Sequence, residues 1–292
     1  MQQASFRTKI PASLPLYTSP PSSTASTILE NSSRWRSMMD NCMVEFLATL
    51  FLILATIFCW NWKAADDAFV QFIPGLTMGL VLLCLKDEDY FFPDASWTVT
   101  IVLWALGGYG SWTHVMARLV GQSLALGMAF WICSSATMPP ILMHIEHPLW
   151  IVFALETFAT MLEHMAVVYV IMPLLPPVNS HGANFLFPKV KPKSDHSTKA
   201  PSNPVVMHAA ITFASLHWCL WRAFGTEMNP AITLIIAFLR QRQSSSSEHH
   251  NSEGVNPWSH ATMAIWGQVV GLLLCIIYTA VYIPRESKLW KN

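Results

Sequence analysis

Long apolar runs separated by short polar stretches set the pattern of this chain. Six of them, residues 43–60, 69–85, 115–133, 149–171, 205–221 and 258–283, come close to or exceed the roughly 20 mostly apolar residues that a helix needs to cross hydrocarbon. Each predicts a transmembrane helix. Two further apolar stretches, 95–106 and 231–239, are too short to cross and predict re-entrant half-helices. Residues 1–42 are rich in Ser, Thr and Pro and lack a long apolar run, so they read as a disordered tail without the apolar core of a secretory signal. The Pro-, Lys- and Ser-rich segment 176–204 reads as a long loop, and 284–292 as a short second tail.

Basic residues orient this layout. Lys63, Arg222, Arg240 and Arg242 fall on one side of a six-span arrangement, and the remaining Lys and Arg, Arg118 among them, fall on the other. Cytoplasmic faces carry the excess of Lys and Arg. Both termini and the 176–204 loop are therefore placed in the cytoplasm, and the Ser- and His-rich stretch 243–256 outside or in a lumen.

Composition supports a membrane location and excludes other classes. Of 292 residues, 53% are hydrophobic and 12% charged, and the mean hydropathy is +0.38. A soluble domain carries about 25% charged residues. Lys+Arg 17 and Asp+Glu 17 cancel, which removes the basic field of a nucleic-acid binder; the apolar content removes a disordered chain. The six Cys are scattered through apolar runs, with neither a disulfide framework nor zinc spacing. His144 and His147, and the pair Glu163-His164, lack a third ligand at metal spacing and read as loop or span-end residues. His249, His250 and His260 read as part of a solvated insertion. No nucleotide motif and no catalytic constellation is present, so neither a cofactor nor an enzyme is expected.

Three landmarks occur twice in the same order. Glu45-Phe-Leu-Ala-Thr49 lies in the first predicted span and Glu156-Thr-Phe-Ala-Thr160 in the fourth. A short helix start follows a loop at Pro93-Asp-Ala-Ser-Trp-Thr98 and again at Met228-Asn-Pro-Ala-Ile-Thr233. Gly121-Gln122 and Gly267-Gln268 lie on later spans. Three spans per half is an odd number, so the second half, about 149–283, must sit inverted relative to the first, about 43–133. Inverted repeats with discontinuous helices are an architecture of membrane transport, with the site near the midplane between the halves.

On these marks the chain resembles the aquaporin (major intrinsic protein) family over residues 43–283. The most specific piece is Gly225-Thr-Glu-Met-Asn-Pro-Ala-Ile-Thr233, which is similar to the family's Gly-x-x-x-Asn-Pro-Ala box. The first box is degenerate, with Asp94, Ala95 and Ser96 where the family has Asn-Pro-Ala. The resemblance implies an all-α membrane protein of six transmembrane helices plus two re-entrant half-helices in an inverted repeat, embedded in a lipid bilayer as a homotetramer. It implies passive conduction of water and small uncharged solutes such as glycerol, hydrogen peroxide or ammonia. It also implies that Glu45 and Glu156 accept backbone N–H groups of the re-entrant loops, a proton relay being the other role open to a buried carboxylate. Gln122 and Gln268 are expected to bind loop backbone or a neighbouring span.

The box residues carry the chemistry. Asn229 is expected as the N-cap of the second half-helix, with Pro230 as its first residue, where a missing N–H costs nothing, and Ala231 next. Two helix N-termini meeting at the midplane each present about half a positive charge and repel cations. Asp94 would cap the first half-helix equally well but adds a negative charge opposite Asn229, which predicts a weaker cation barrier unless it turns away from the lumen.

The family's outer constriction maps onto Pro74, with Phe72 as a nearby aromatic alternative, and onto His217, Glu227 and Ile232. Ile232 stands where the family usually has Arg, so a rigid cation with five donors is replaced by an apolar side chain. That departure puts strict water selectivity in doubt. It also feeds a rival reading, a degenerate homologue that no longer conducts and serves a structural role in the membrane.

Overall fold

A computed structural model describes residues 23–61, 94–106, 112–135, 147–171, 203–246 and 256–289. The predicted second span 69–85, with Pro74 and the Gly75-x-x-x-Gly79 pair, lies outside these residues, as does the 176–204 loop. The chain divides into a unit Met1–Ser37 and a unit Met38–Asn292, and the packing described below concerns the second.

The described residues form seven α-helices and no strand: α1 (Ser23–Asn61), α2 (Trp97–Ala105), α3 (Trp112–Ser135), α4 (Leu149–Ala166), α5 (Asn203–Phe224), α6 (Pro230–Ser246) and α7 (Pro257–Leu289). The β-branched run after α4 continues it as a π-helical turn, Val167–Ile171. Among the described residues four stretches are long and apolar enough to cross a bilayer, Trp35–Ile57, Trp112–Ser135, Leu149–Tyr169 and Pro257–Val281. The described residues are thus all helical, with the pattern of a multi-pass membrane protein.

Two predicted boundaries move. Helix α1 begins at Ser23, inside the stretch read as a disordered tail, because no Pro or Gly follows Pro21 until the helix ends. Helix α6 runs beyond the predicted 231–239 through Arg240 to Ser246, since nothing in that polar segment breaks a helix. Its apolar part still ends at Leu239. Helix α2 has 9 residues, or about 14 Å at 1.5 Å per residue, half of a hydrocarbon layer about 30 Å thick.

Burial runs opposite to that of a soluble bundle. Along α1 the inward face carries Asn41, Glu45, Thr49 and Thr56, whereas Met43, Leu47 and Phe51 are exposed. On α3, Arg118 and Gln122 are buried while Met116, Val120, Leu124 and Trp131 face outward. Lipid makes an apolar exterior free of cost and confines polar groups to the interior. The main apolar cluster joins Ile53 and Leu52 of α1 with Val99, Leu103, Met228, Ile232 and Ile235.

Small residues let the helices close on one another. A Cβ on Gly267 would lie 2.6 Å from Phe153 O and 2.8 Å from Glu156 Cβ, and one on Gly271 would meet Thr157 O. Helices α4 and α7 accordingly make the most extensive pairing among the described elements. Gly121 plays the same part for α3 against Cys42 O and Glu45 Cβ of α1. These approaches bring each buried glutamate level with the glutamine of its own half.

Candidate functional site

The site is the junction where α2 and α6 begin. In the second half, Asn229 is the N-cap, its Oδ1 accepting the N–H of Ala231 at 3.0 Å, with Pro230 as the first helical residue. The preceding loop turns through Met228, a non-glycine at φ 53°. Helix α6 starts there because Asn supplies an acceptor and Pro supplies a preset φ. Glu156 of α4 holds the loop from behind, accepting the N–H groups of Glu227 at 2.7 Å and Met228 at 3.1 Å. Gln268 donates to Glu156 at 3.2 Å and to Thr233 Oγ1 at 3.0 Å.

The first half repeats this network with a shifted register. Glu45 accepts the N–H groups of Asp94 at 2.7 Å and Ala95 at 3.0 Å. Ala95 has φ 51°, matching Met228. Gln122 donates to Glu45 and to Thr100 Oγ1, both at 2.9 Å, as Gln268 does to Glu156 and Thr233. The N-cap of α2 is Ser96, which makes no side-chain cap bond. The counterpart of Asn229 is therefore Ser96, and Asp94 corresponds to Glu227. The expected alignment of Asp94-Ala95-Ser96 with the Asn-Pro-Ala box is displaced by two residues, because a side chain at the cap position and one two residues before it look alike in a string of letters.

Asp94 is accordingly not a cap. It is buried, with Oδ2 accepting from Thr100 Oγ1 at 2.7 Å and Oδ1 3.2 Å from Arg118 Nη1. Arg118 Nη1 also lies 2.6 Å from Glu45 Oε1. Arg118, counted from sequence among the cytoplasmic charges, is 2% exposed and holds two carboxylates together. The charge expected to face Asn229 is thus offset by a guanidinium.

The two helix starts touch. Asn229 Nδ2 donates to Ala95 O at 2.9 Å, and Asn229 is 5% exposed. One amide hydrogen is thereby spent on the partner loop.

The constriction candidates fall out differently. Pro74 lies outside the described residues. Ile232 is 2% exposed and packs with Met228 and Ile235. Glu227 is buried beside Asn229. His217 of α5 is mostly buried, with Nδ1 3.0 Å from Glu163 Oε1. Glu163 and His164, read as a loop or span-end pair, are both buried on α4, and His164 Nδ1 is 2.7 Å from Thr160 O.

Two residues were placed wrongly from the sequence, Arg118 among the cytoplasmic charges and Glu163 at a loop or span end, and both are buried. A charged residue one turn before Gly121-Gln122 in an apolar helix has to be paired inside the protein, which is a signal that points to Arg118. Glu163 lies two helical turns beyond Glu156 and so on the same face. Among the described residues no cluster of three or more His, Cys, Asp or Glu could hold a metal ion. No protein-family model matches the chain, and neither does the sequence of a characterised protein.

Proposed function

We propose that the chain is a passive membrane channel of aquaporin type, carrying water and small uncharged solutes down their own gradients. In this reading α1, α3, α4, α5 and α7 are five crossings and the segment 69–85 is the sixth. Helices α2 and α6 enter the bilayer as half-helices from opposite faces and meet tip to tip within an inverted repeat. Both termini lie in the cytoplasm, and four copies assemble with one pore each.

The observation that carries the proposal is the 2.9 Å hydrogen bond from Asn229 Nδ2 to Ala95 O, which joins the starts of two helices whose loops are each held by a buried glutamate. Two convergent N-termini concentrate positive potential, which opposes cations and protons and leaves neutral solutes unopposed. The half-bilayer length of α2 fits a stub that stops at the midplane. Ile232 in place of a guanidinium argues for uncharged solutes beyond water.

A second reading, a non-conducting homologue with a structural role, is favoured by the burial of Asn229 and Ile232 and by the engagement of the Asn229 amide with Ala95. Osmotic shrinkage and swelling of vesicles containing the purified protein decide between them. The channel predicts water or glycerol flux several-fold above that of protein-free vesicles. Identical rates for water, glycerol and hydrogen peroxide would end the channel proposal and leave the structural role.

A further inference from the structure

The two halves grip their loops with equal backbone bonds and unequal side chains. Glu45 accepts the N–H groups of Asp94 and Ala95 at 2.7 and 3.0 Å, and Glu156 accepts those of Glu227 and Met228 at 2.7 and 3.1 Å. Each glutamate also accepts from the glutamine of its own half. Both loops turn through a non-glycine at positive φ, Ala95 at 51° and Met228 at 53°. In these respects neither loop is held better than the other.

The first loop has a further anchor. The Asp94 carboxylate lies 3.2 Å from Arg118 Nη1 of α3, and the same nitrogen lies 2.6 Å from Glu45 of α1. One guanidinium thus ties the loop to two neighbouring helices in a site sealed from solvent, where separating the charges is costly. The second loop has no such anchor among the described residues. Arg118 stands three residues before Gly121, whereas three residues before Gly267 stands Ala264. Glu227 corresponds to Asp94, and its Oε2 has no hydrogen-bond partner among the described residues. The Gly225 N–H donates back to Trp221 O, the Thr226 hydroxyl to Leu220 O, and the Thr233 hydroxyl to Asn229 O. Those three bonds join the loop to α5 and α6, the helices it connects, and to no other.

We propose that the junction opens from its second half: the loop 225–229 moves away, the Asn229 amide releases Ala95 O, and the first loop stays fixed to Glu45 and Arg118. The 2.9 Å bond from Asn229 Nδ2 to Ala95 O is then a latch. It is a single hydrogen bond between neutral groups, weaker than the charge-assisted bonds that hold the first loop. The inference concerns how the folded chain moves, so it goes beyond the channel reading and holds whether or not a solute passes. Within that reading it names the half that makes room, since Asn229 and Ile232 are both buried while the latch is closed.

The test is hydrogen–deuterium exchange of the purified full-length protein in lipid nanodiscs, read on peptides covering 94–96 and 226–229. Exchange of a bonded amide reports the local opening that frees it. After correction for intrinsic rates, the amides of Glu227 and Met228 are expected to exchange about tenfold faster than those of Asp94 and Ala95, or more, the factor that one added hydrogen bond to a charged group confers. This comparison needs no variant. Asn229→Ser keeps a capping hydroxyl and removes the amide; it should speed Glu227 and Met228 further and leave Asp94 and Ala95 unchanged. Arg118→Met should raise exchange at Asp94 and Ala95 toward the rate of the second pair. Equal protection of the two pairs in the parent, faster exchange at Asp94 and Ala95, a joint rise of both pairs in Asn229→Ser, or unchanged protection of the first pair in Arg118→Met would each overturn the proposal.

Discussion

Replacing Arg118 with methionine keeps the apolar stem and removes the cation that joins Glu45 to Asp94. The guanidinium lies 2.6 Å from Glu45 Oε1 and 3.2 Å from Asp94 Oδ1, and the side chains are 2%, 0% and 2% exposed for Arg118, Glu45 and Asp94. Hydrogen bonds to charged groups contribute about 1.5–3 kcal/mol each, so two of them amount to several kcal/mol. Breaking a buried pair by removing one partner costs about 3–5 kcal/mol, because a charge is left buried and uncompensated. Both routes lead to the same range. A solvent-exposed pair would contribute under about 1 kcal/mol and would weaken in salt. Reversible unfolding in mixed detergent micelles measures the loss, at low and at high salt. Arg118→Met is expected to lose 3–5 kcal/mol, roughly, at both, and Asp94→Asn in the same chain should restore part of it through a coupling of about 0.5–3 kcal/mol. A loss below about 1 kcal/mol, or one that high salt erases, would refute the argument that this network is buried and charge-bearing.

Three further outcomes are expected. Gly267→Ala places a Cβ 2.6 Å from Phe153 O, so α4 and α7 must separate at a cost of about 1–3 kcal/mol, while Gly127→Ala, with nothing within 4 Å, should be neutral or gain up to about 1 kcal/mol in helix propensity, both read by the same unfolding assay. Ala95→Gly relieves the positive φ of 51° and should stabilise by up to about 1 kcal/mol, whereas Ala95→Val should destabilise by about 1–2 kcal/mol; the opposite order would contradict the loop geometry. Glu156→Ala leaves the N–H groups of Glu227 and Met228 without their acceptor, at about 1–3 kcal/mol each. Protease protection should show unchanged membrane insertion, and vesicle swelling should fall to the protein-free rate; undiminished swelling would separate this clamp from conduction.

Hydrophobic patterning located the apolar cores of the described helices, though not the start of α1, because a lipid-facing surface must be apolar over a bilayer's length and the backbone must bond within its own segment. The same letters exposed the repeated Glu and Gly-Gln marks and the single Asn-Pro-Ala box, since each is a short local string. The register of the first half-helix was not legible. Asp94 and Ser96 are both good caps, and only the turn through Ala95, set by two backbone N–H groups donating to a distant glutamate, selects Ser96. Nor was the inward aim of Arg118 or the pairing of Glu163 with His217. Periodicity reports which solvent a helix face meets. Which polar group on the inner face finds which partner depends on how closely two helices approach, and that distance is set by packing at residues such as Gly121 and Gly267, far along the chain from the groups they bring together.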